Sequence, residues 1–345
     1  MVKSNRKPWK KLVMGVLVAT LLVLNVGCSG SQSSSNESSS TAEEATQTPS
    51  QENFRVGIIQ YMSHGALDAA REGFIAGLAD NGFVEGDNIT FDYQNAQGDQ
   101  SNLSTISDRF VNDKVDLILA IATPAAQAVA GKTTEIPILG TAITDYVAAR
   151  LVDSNEKPGG NVSGTTDMNP VKEQIDLLAK LIPDAKTVGV LYTSSEDNSI
   201  VQAKMAKEAI ENLGLKYVEV TVTNSNDVQQ ATQSIVDQCD AIYIPTDNVF
   251  SSAMPVVHGV TSQTKTPVIC GETGMVKEGG LATLGTSYYD LGYQTGIMAA
   301  KILKGEAEPA TMPIEGAKNF EYYINGAVAE EFGITIPEDL KQYVQ

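Results

Sequence analysis

From Phe54 onward the apolar positions switch between two periods. RVGIIQY (55–61) is a short unbroken apolar run, the pattern of a strand buried on both faces. ALDAAREGFIAGLADNG (66–82) sets Leu67, Ala70, Phe74, Ile75 and Leu78 at helical spacing and closes at Gly82, a helix stop. NITFDYQNA (88–96) alternates as a strand and LSTISDRFVNDK (103–114) is helical. DLILAIA (116–122) is the next strand, TPAAQAVAGK opens a helix at Thr123–Pro124, and PILGTA (137–142) is a further strand. After GGNVSGTTD (159–167) the series begins again. VKEQIDLLAKLI is a helix, TVGVLYTSS (187–195) a strand, and VQAKMAKEAIENLG (201–214) a helix ending at Gly214. KYVEVTVT (216–223) alternates, DVQQATQSIVDQC is helical, and DAIYIPT and TPVICGE are the last strands of the unit.

Two passages in this series echo each other. DLILAIATP starts at Asp116 and DAIYIPTDN at Asp240; each runs through apolar residues to a Thr beside a turn former. The order β-α-β-α-β-α-β, used twice, predicts an α/β protein of two doubly wound lobes with parallel sheets and right-handed crossovers. Ligands of such sheets bind off the carboxyl ends of the strands, so the two Thr-bearing ends are expected to face each other across a cleft.

The first 53 residues follow neither period. Lys3, Arg6, Lys7, Lys10 and Lys11 precede LVMGVLVATLLVL (Leu12 to Leu24), too short an apolar run for a comfortable membrane span, and Gly27 precedes Cys28. This resembles a bacterial lipoprotein signal, with residues 1–27 removed and Cys28 lipidated, although Asn25 stands where a Leu is usual. An uncleaved anchor or an ordinary secretory signal is the alternative. Residues 28–53 are Ser-rich, lack apolar periodicity and cannot offset the entropy of folding. They predict a disordered tether spanning roughly 25–30 Å.

The length of 345 residues favours two lobes over one core. A formal charge of -18 argues against nucleic acid or an acidic substrate as partner. Cys28, Cys239 and Cys270 form no metal-binding spacing, and His64 and His258 are the only histidines. Cys239 and Cys270 read as buried free thiols. No nucleophile elbow, phosphate-cradling loop or paired metal ligands occur, which argues against an enzyme and for no cofactor.

The combination of VGIIQYMSHGALDAAREGF (56–74), NGFVEGDNITFDYQNAQGD (81–99), IATPAAQA (121–128), GTTD (164–167), VGVLYTSSEDNS (188–199), IYIPTDN (242–248), GE (271–272) and INGAVAEEFGITIPEDL (324–340) resembles the substrate-binding proteins of bacterial ABC importers, of the periplasmic-binding type I fold, and within them the tryptophan/tyrosine-binding subfamily. The resemblance covers residues 54–340. It implies a three-crossing hinge, with 54–163 plus 285–312 as lobe one and 164–284 plus 313–345 as lobe two. It further implies a monomer, lipid-anchored to the outer face of the cytoplasmic membrane, that closes on a small ligand and delivers it to an ABC permease. An aromatic amino acid is the ligand implied. A ligand sensor for a membrane receptor, or a binder of a different small solute, would use the same fold.

Polar residues recur at strand ends in both halves: Ser63, Thr123, Thr144, Asp145, Thr166, Ser195, Asn198, Ser199, Thr246 and Asn248. Each is equally a helix cap; as a set they are candidate ligand contacts, joined by Ala125 within the resemblance motif. Asp247 and Glu272 are the candidate acceptors for a ligand ammonium. Tyr61, Tyr192, Tyr288 and Tyr289 are candidates for an aromatic wall, Tyr61 the first among them, and His64 reads as a loop residue or pocket rim.

Overall fold

The apolar run at 55–61 forms β1 (Phe54–Gln60), the centre of a sheet assembled in chain order from α1 (Gly65–Asp80), β2 (Ile89–Asn95), α2 (Gln100–Asp113), β3 (Leu117–Ile121), α3 (Thr123–Ala130), β4 (Ile138–Ile143) and β5 (Val162–Thr166). These elements come from a computed structural model describing residues 53–345. The leader, the Ser-rich stretch and Cys28 lie outside the described residues. The second half builds α4 (Val171–Leu181), β6 (Thr187–Thr193), α5 (Asp197–Asn212), β7 (Lys216–Val222), α6 (Val228–Val236), β8 (Ala241–Ile244), α7 (Asn248–Ser252), α8 (Met254–Thr264), β9 (Val268–Cys270), α9 (Thr273–Lys277) and β10 (Ala282–Gly285). The chain then returns to lobe one as α10 (Tyr288–Leu303) and β11 (Glu315–Gly316), and finishes in lobe two with β12 (Glu321–Ile324) and α11 (Gly326–Phe332).

The strand orders are β11-β5-β4-β3-β1-β2 and β12-β10-β9-β8-β6-β7. Pairing is parallel throughout except between β10 and β12. The fold class expected from the alternation is therefore present, with one antiparallel edge. The lobe exchanges fall in 167–170, 286–287 and 317–320, because β5 runs to Thr166 and β11 pairs with it in the first sheet. The first and third lie a few residues beyond the expected boundaries. Polar VSGTT and the two-residue β11 give no apolar run from which to place them.

The two echoed passages occupy matching positions. β1 pairs with β3 and β6 with β8. Asp116 Oδ2 accepts from Arg55 N at 2.7 Å, and Asp240 Oδ2 accepts from Lys186 N and Thr187 N, both at 2.8 Å. Each Asp thus ties the start of one central strand to the start of its neighbour, at the sheet end opposite the cleft. These backbone donors lower the Asp240 carboxyl below its ordinary range.

Val56, Ile58, Phe74, Leu78, Phe110 and Leu119 anchor the core of lobe one. Helix α10 lies along α1 at close range because Gly73, Gly77, Gly292 and Gly296 carry no side chain there; a Cβ on Gly292 would overlap the Ala70 carbonyl oxygen. The second sheet has a core on each face, one holding Ile175, Val190 and Tyr243, the other Leu191, Ile244 and Phe250. Cys239 and Cys270 are free thiols. Among the described residues no helix is long and apolar enough to cross a membrane.

Candidate ligand-binding site

The carboxyl ends of both sheets carry the polar loops. In lobe one, β1 ends at buried Gln60, whose Nε2 donates to Met62 O and to Asp68 Oδ1, each at 2.8 Å. Ser63 Oγ donates to Asp68 Oδ2 at 2.7 Å. The loop is thus pinned to the first turn of α1, leaving His64 at the N-cap without a side-chain capping bond. Beyond β3 and within β4, Ala122 and Ala142 adopt φ of 80° and 56°, the left-handed region that alanine rarely enters. Both positions turn the chain at the cleft end, and Thr123 Oγ1 lies buried there without a partner.

In lobe two, Asp247 follows β8 and caps α7, and Glu272 follows β9 and caps α9. Asp247 Oδ1 accepts from Thr193 Oγ1 and Phe250 N, both at 2.9 Å; Oδ2 accepts from Thr193 N at 2.6 Å and Ser199 Oγ at 2.7 Å. Both oxygens are filled. Glu272 accepts from Met275 N at 2.9 Å, from Gly274 N, and from Ser251 Oγ at 3.3 Å. Glu196 Oε2 gathers Asn248 Nδ2 at 2.6 Å, Asn198 Nδ2 at 3.0 Å and Asn248 N at 3.3 Å.

The lobes meet through these loops. His64 Nε2 lies 3.3 Å from Asn248 Oδ1, and the Thr144 and Thr246 hydroxyls lie 3.3 Å apart. Gln202 Nε2 donates to Thr144 Oγ1 at 3.3 Å and also to Thr246 Oγ1. Between them is a tightly closed cleft, with a cavity of only about 10 Å³, lined by His64, Leu67, Ala142, Thr144, Asp167, Asn198, Thr246, Asp247, Asn248, Ser251, Glu272 and Tyr288. An open depression between α6 and α8 is larger, but it lies on one lobe only and collects no convergent set of such groups.

The lining has one sign of charge. Asp167, Asp247 and Glu272 line it, and no Lys or Arg does. Burial raises all three carboxyls above their ordinary range. Asp167 is the least committed: Oδ1 accepts only from Thr144 Oγ1 at 3.0 Å and Oδ2 only from Tyr288 OH at 2.6 Å. Glu196, beside the cavity, is pushed up to about 8 by burial and then by the Asp247 charge. Burial holds His64 down at about 4, so its ring is neutral near pH 7. Burial, with the charges of Glu196 and Asp247, also raises the Tyr61 phenol.

Of the sequence candidates, Thr144, Asn198, Thr246, Asp247, Asn248 and Glu272 come together in the lining. Ser199 stands behind them on Asp247, and Tyr61 is buried at the end of β1. Others serve locally. Ser63 holds Asp68, Asp145 Oδ1 accepts from Val147 N and Ala148 N, and Thr166 Oγ1 donates to Thr144 O at 2.7 Å. Ser195 is exposed and donates to Thr223 O, while Ala125 packs in the lobe-one core. Of the remaining tyrosines, only Tyr288 enters the lining; Tyr289 is exposed and Tyr192 donates to Glu219. Leu67, Ala142, Asp167 and Ser251 were not singled out from sequence; Tyr288 was named as an aromatic-wall candidate and His64 as a loop residue or pocket rim. Asp167 closes the GTTD motif and follows a strand, the one signal that could have found it.

Two parallel-sheet lobes, three chain crossings and a polar cavity between opposed strand ends define a clamshell binding protein of the periplasmic-binding type I fold. The family model for ABC transporter substrate binding protein matches residues 55–345, and the chain belongs to that family. It is 41% identical over 325 residues to a tyrosine-binding protein of Clostridioides difficile (strain R20291), covering 94% of this chain and 91% of that relative. An ABC domain from Streptococcus pneumoniae, solved in complex with L-Trp, superposes with a TM-score of 0.83 at 39% identity, over 85% of this chain and 100% of that one. A ligand-free, open structure of a substrate binding protein with adhesive properties from Clostridium difficile is 44% identical over 85% of this chain and 98% of that one, yet its TM-score is 0.66. Greater identity with poorer superposition puts the lobe arrangement here nearer the L-Trp complex than the open form.

Proposed function

We propose that this chain is an extracytoplasmic binding lipoprotein that closes on an aromatic amino acid and delivers it to an ABC importer. The observation that carries the ligand reading is the buried lining with three carboxylates, no Lys or Arg, and a single neutral His64. Such a site is costly to dehydrate alone and favours a ligand that brings a positive charge. Asp167 and Glu272 meet the ligand ammonium, Asp167 foremost because each of its oxygens has only one donor. The N–H groups of the first turn of α1, which His64 leaves uncapped, meet the ligand carboxylate. Leu67, Ala142 and Tyr288 supply the apolar wall. That one relative is a tyrosine-binding protein and one solved neighbour holds L-Trp supports the aromatic class. Only a closed arrangement lets both lobes touch the ligand, so binding stabilises closure.

The membrane attachment proposed rests on Cys28 alone, outside the described residues, with residues 28–53 as tether and residues 54–345 as a monomeric body. A thermal-shift screen over amino acids and nucleobases tests the ligand reading. Ligand at 100 times its dissociation constant adds about 2.7 kcal/mol; a shift by nucleobases with none by aromatic amino acids rejects it. Fractionation of Cys28→Ser tests the anchor, which the reading expects to be released from membranes.

A further inference from the structure

Helix α5 turns one long amide inward. Gln202 stands on its buried face among Ala203, Ala206 and Ala209, itself fully buried, and it does not line the cleft. Two backbone partners of opposite kind fix its orientation. Asn198 O, which can only accept, lies 3.3 Å from Nε2, and Thr246 N, which can only donate, lies 3.4 Å from Oε1. Nε2 therefore directs its hydrogens at the Thr246 hydroxyl in its own lobe and at Thr144 Oγ1 of lobe one, 3.3 Å away. The Thr144 and Thr246 hydroxyls are themselves 3.3 Å apart. Both of these contacts of Thr144 cross between the lobes, so they exist only while the cleft is shut.

Thr144 has a single hydroxyl hydrogen, and Asp167 Oδ1 lies 3.0 Å from its oxygen. Tyr288 OH fills Asp167 Oδ2 at 2.6 Å, Glu272 shares the lining, and no Lys or Arg does. The positive charge that holds Asp167 ionised therefore comes with the ligand. An ionised carboxylate only accepts, so an ammonium at Asp167 turns the Thr144 hydrogen to Asp167. Thr144 Oγ1 is then left as an acceptor for Gln202 Nε2 and the Thr246 hydroxyl. A protonated Asp167 makes no such demand, and the Thr144 hydrogen is free to turn towards lobe two, where it meets the donor amide of Gln202. Resting on the assignment of the ligand ammonium to Asp167, we propose that Gln202 is a positioning residue that reads the charge of Asp167 through the Thr144 hydroxyl, making closure tightest over a ligand that keeps Asp167 ionised. Gln202 does so without touching the ligand.

Stopped-flow displacement of L-tyrosine and L-tryptophan from the wild type, Gln202→Met, Thr144→Val, Thr144→Ser and the double variant Gln202→Met/Thr144→Val tests this. Gln202→Met and Thr144→Val are each expected to raise the off-rate by about five- to tenfold, the loss of one buried hydrogen bond. The double variant is expected to be no faster than the faster single one, and Thr144→Ser, which keeps the hydroxyl, to stay within about twofold of wild type. A merely structural Gln202, supporting Thr246 inside lobe two, would give factors that multiply in the double variant; that result overturns the proposal and leaves the ligand reading standing. In the Asp167→Asn background, with no charge to read, Gln202→Met is expected to change the off-rate by less than about twofold. A full effect there also overturns the proposal. Binding of neither amino acid to the wild type overturns both readings. If Gln202→Met fails to fold, Thr144→Val against Thr144→Ser still decides, because equal off-rates overturn the relay.

Discussion

Gln127 and Asp197 join the two lobes outside the cavity. Gln127 Nε2 donates to Asp197 Oδ2 at 2.8 Å and reaches Ala149 O at 3.2 Å. The contact is solvent-exposed and touches none of the lining residues, so it acts on closure rather than on recognition. Its contribution should be that of an exposed amide–carboxylate hydrogen bond, about 0.5–1 kcal/mol. Asp197→Ala is expected to raise the ligand off-rate by roughly two- to fivefold while the melting temperature without ligand stays close to wild type. Stopped-flow displacement measures the rate; an unchanged off-rate removes the latch.

Glu196 and His64 give the stability a pH dependence of two signs. The folded-state carboxyl of Glu196 is raised from 4.5 to about 8, so the folded chain keeps a proton that the unfolded chain releases, and stability falls as pH rises through that window. Asp247, also raised by burial, acts in the same sense. His64 is lowered from 6.5 to about 4, so it costs stability as pH falls across that range. Between about pH 6.5 and 8 the Glu196 effect acts with little opposition from His64. Chemical denaturation without ligand should show stability declining there, by at most about 1.4 kcal/mol per pH unit for one proton, with a flatter profile in Glu196→Gln. A Glu196→Gln profile parallel to wild type would contradict the assignment.

Asp167 and Asp247 should separate by phenotype. Asp247→Ala leaves four donors unpaired inside lobe two and is expected to cost about 2–4 kcal/mol of stability. Asp167→Asn keeps a similar shape and is expected to weaken amino-acid binding by roughly 1.5–3 kcal/mol with a smaller change in stability. Calorimetry alongside denaturation distinguishes the two. A large affinity loss in Asp247→Ala with unaltered stability would return the ammonium to Asp247.

Gly292 is where α1 and α10 come closest. Gly292→Ala sets a methyl group against the Ala70 backbone, which cannot yield as a flexible side chain would. A loss of about 1–3 kcal/mol is expected in denaturant unfolding. A neutral result would mean that α10 can slide along α1.

Much of this architecture was legible because parallel strands buried on both faces write themselves as short apolar runs, as RVGIIQY and TVGVLYTSS do. β5 was missed because VSGTT is polar and lies beneath α10, where Thr165 bonds Thr295 instead of presenting an apolar face. The site was legible by position but not by role. A Ser, Thr or Asp at a strand end serves equally as cap or contact, and only packing across the cleft decides; Ser63 turned onto Asp68 and Asp145 onto its own loop, whereas Thr144 reached the other lobe. Glu196 carries no local mark in an acidic chain, and Asp167 only its place after a strand at the end of GTTD. Their burial is set by residues distant in sequence, Thr144 and Tyr288 around Asp167 and Asn248 beside Glu196, a relation no window of sequence contains.

The matched aspartates Asp116 and Asp240 lock the two sheets at their distant ends with the same stitch. Each lobe therefore behaves as a socket whose base is set independently of its rim. Loops at the rim can be rewritten for another solute without recutting the base, so grafting the segments after β3, β4, β8 and β9 from a relative should transfer ligand preference while the unfolding behaviour of the host is retained.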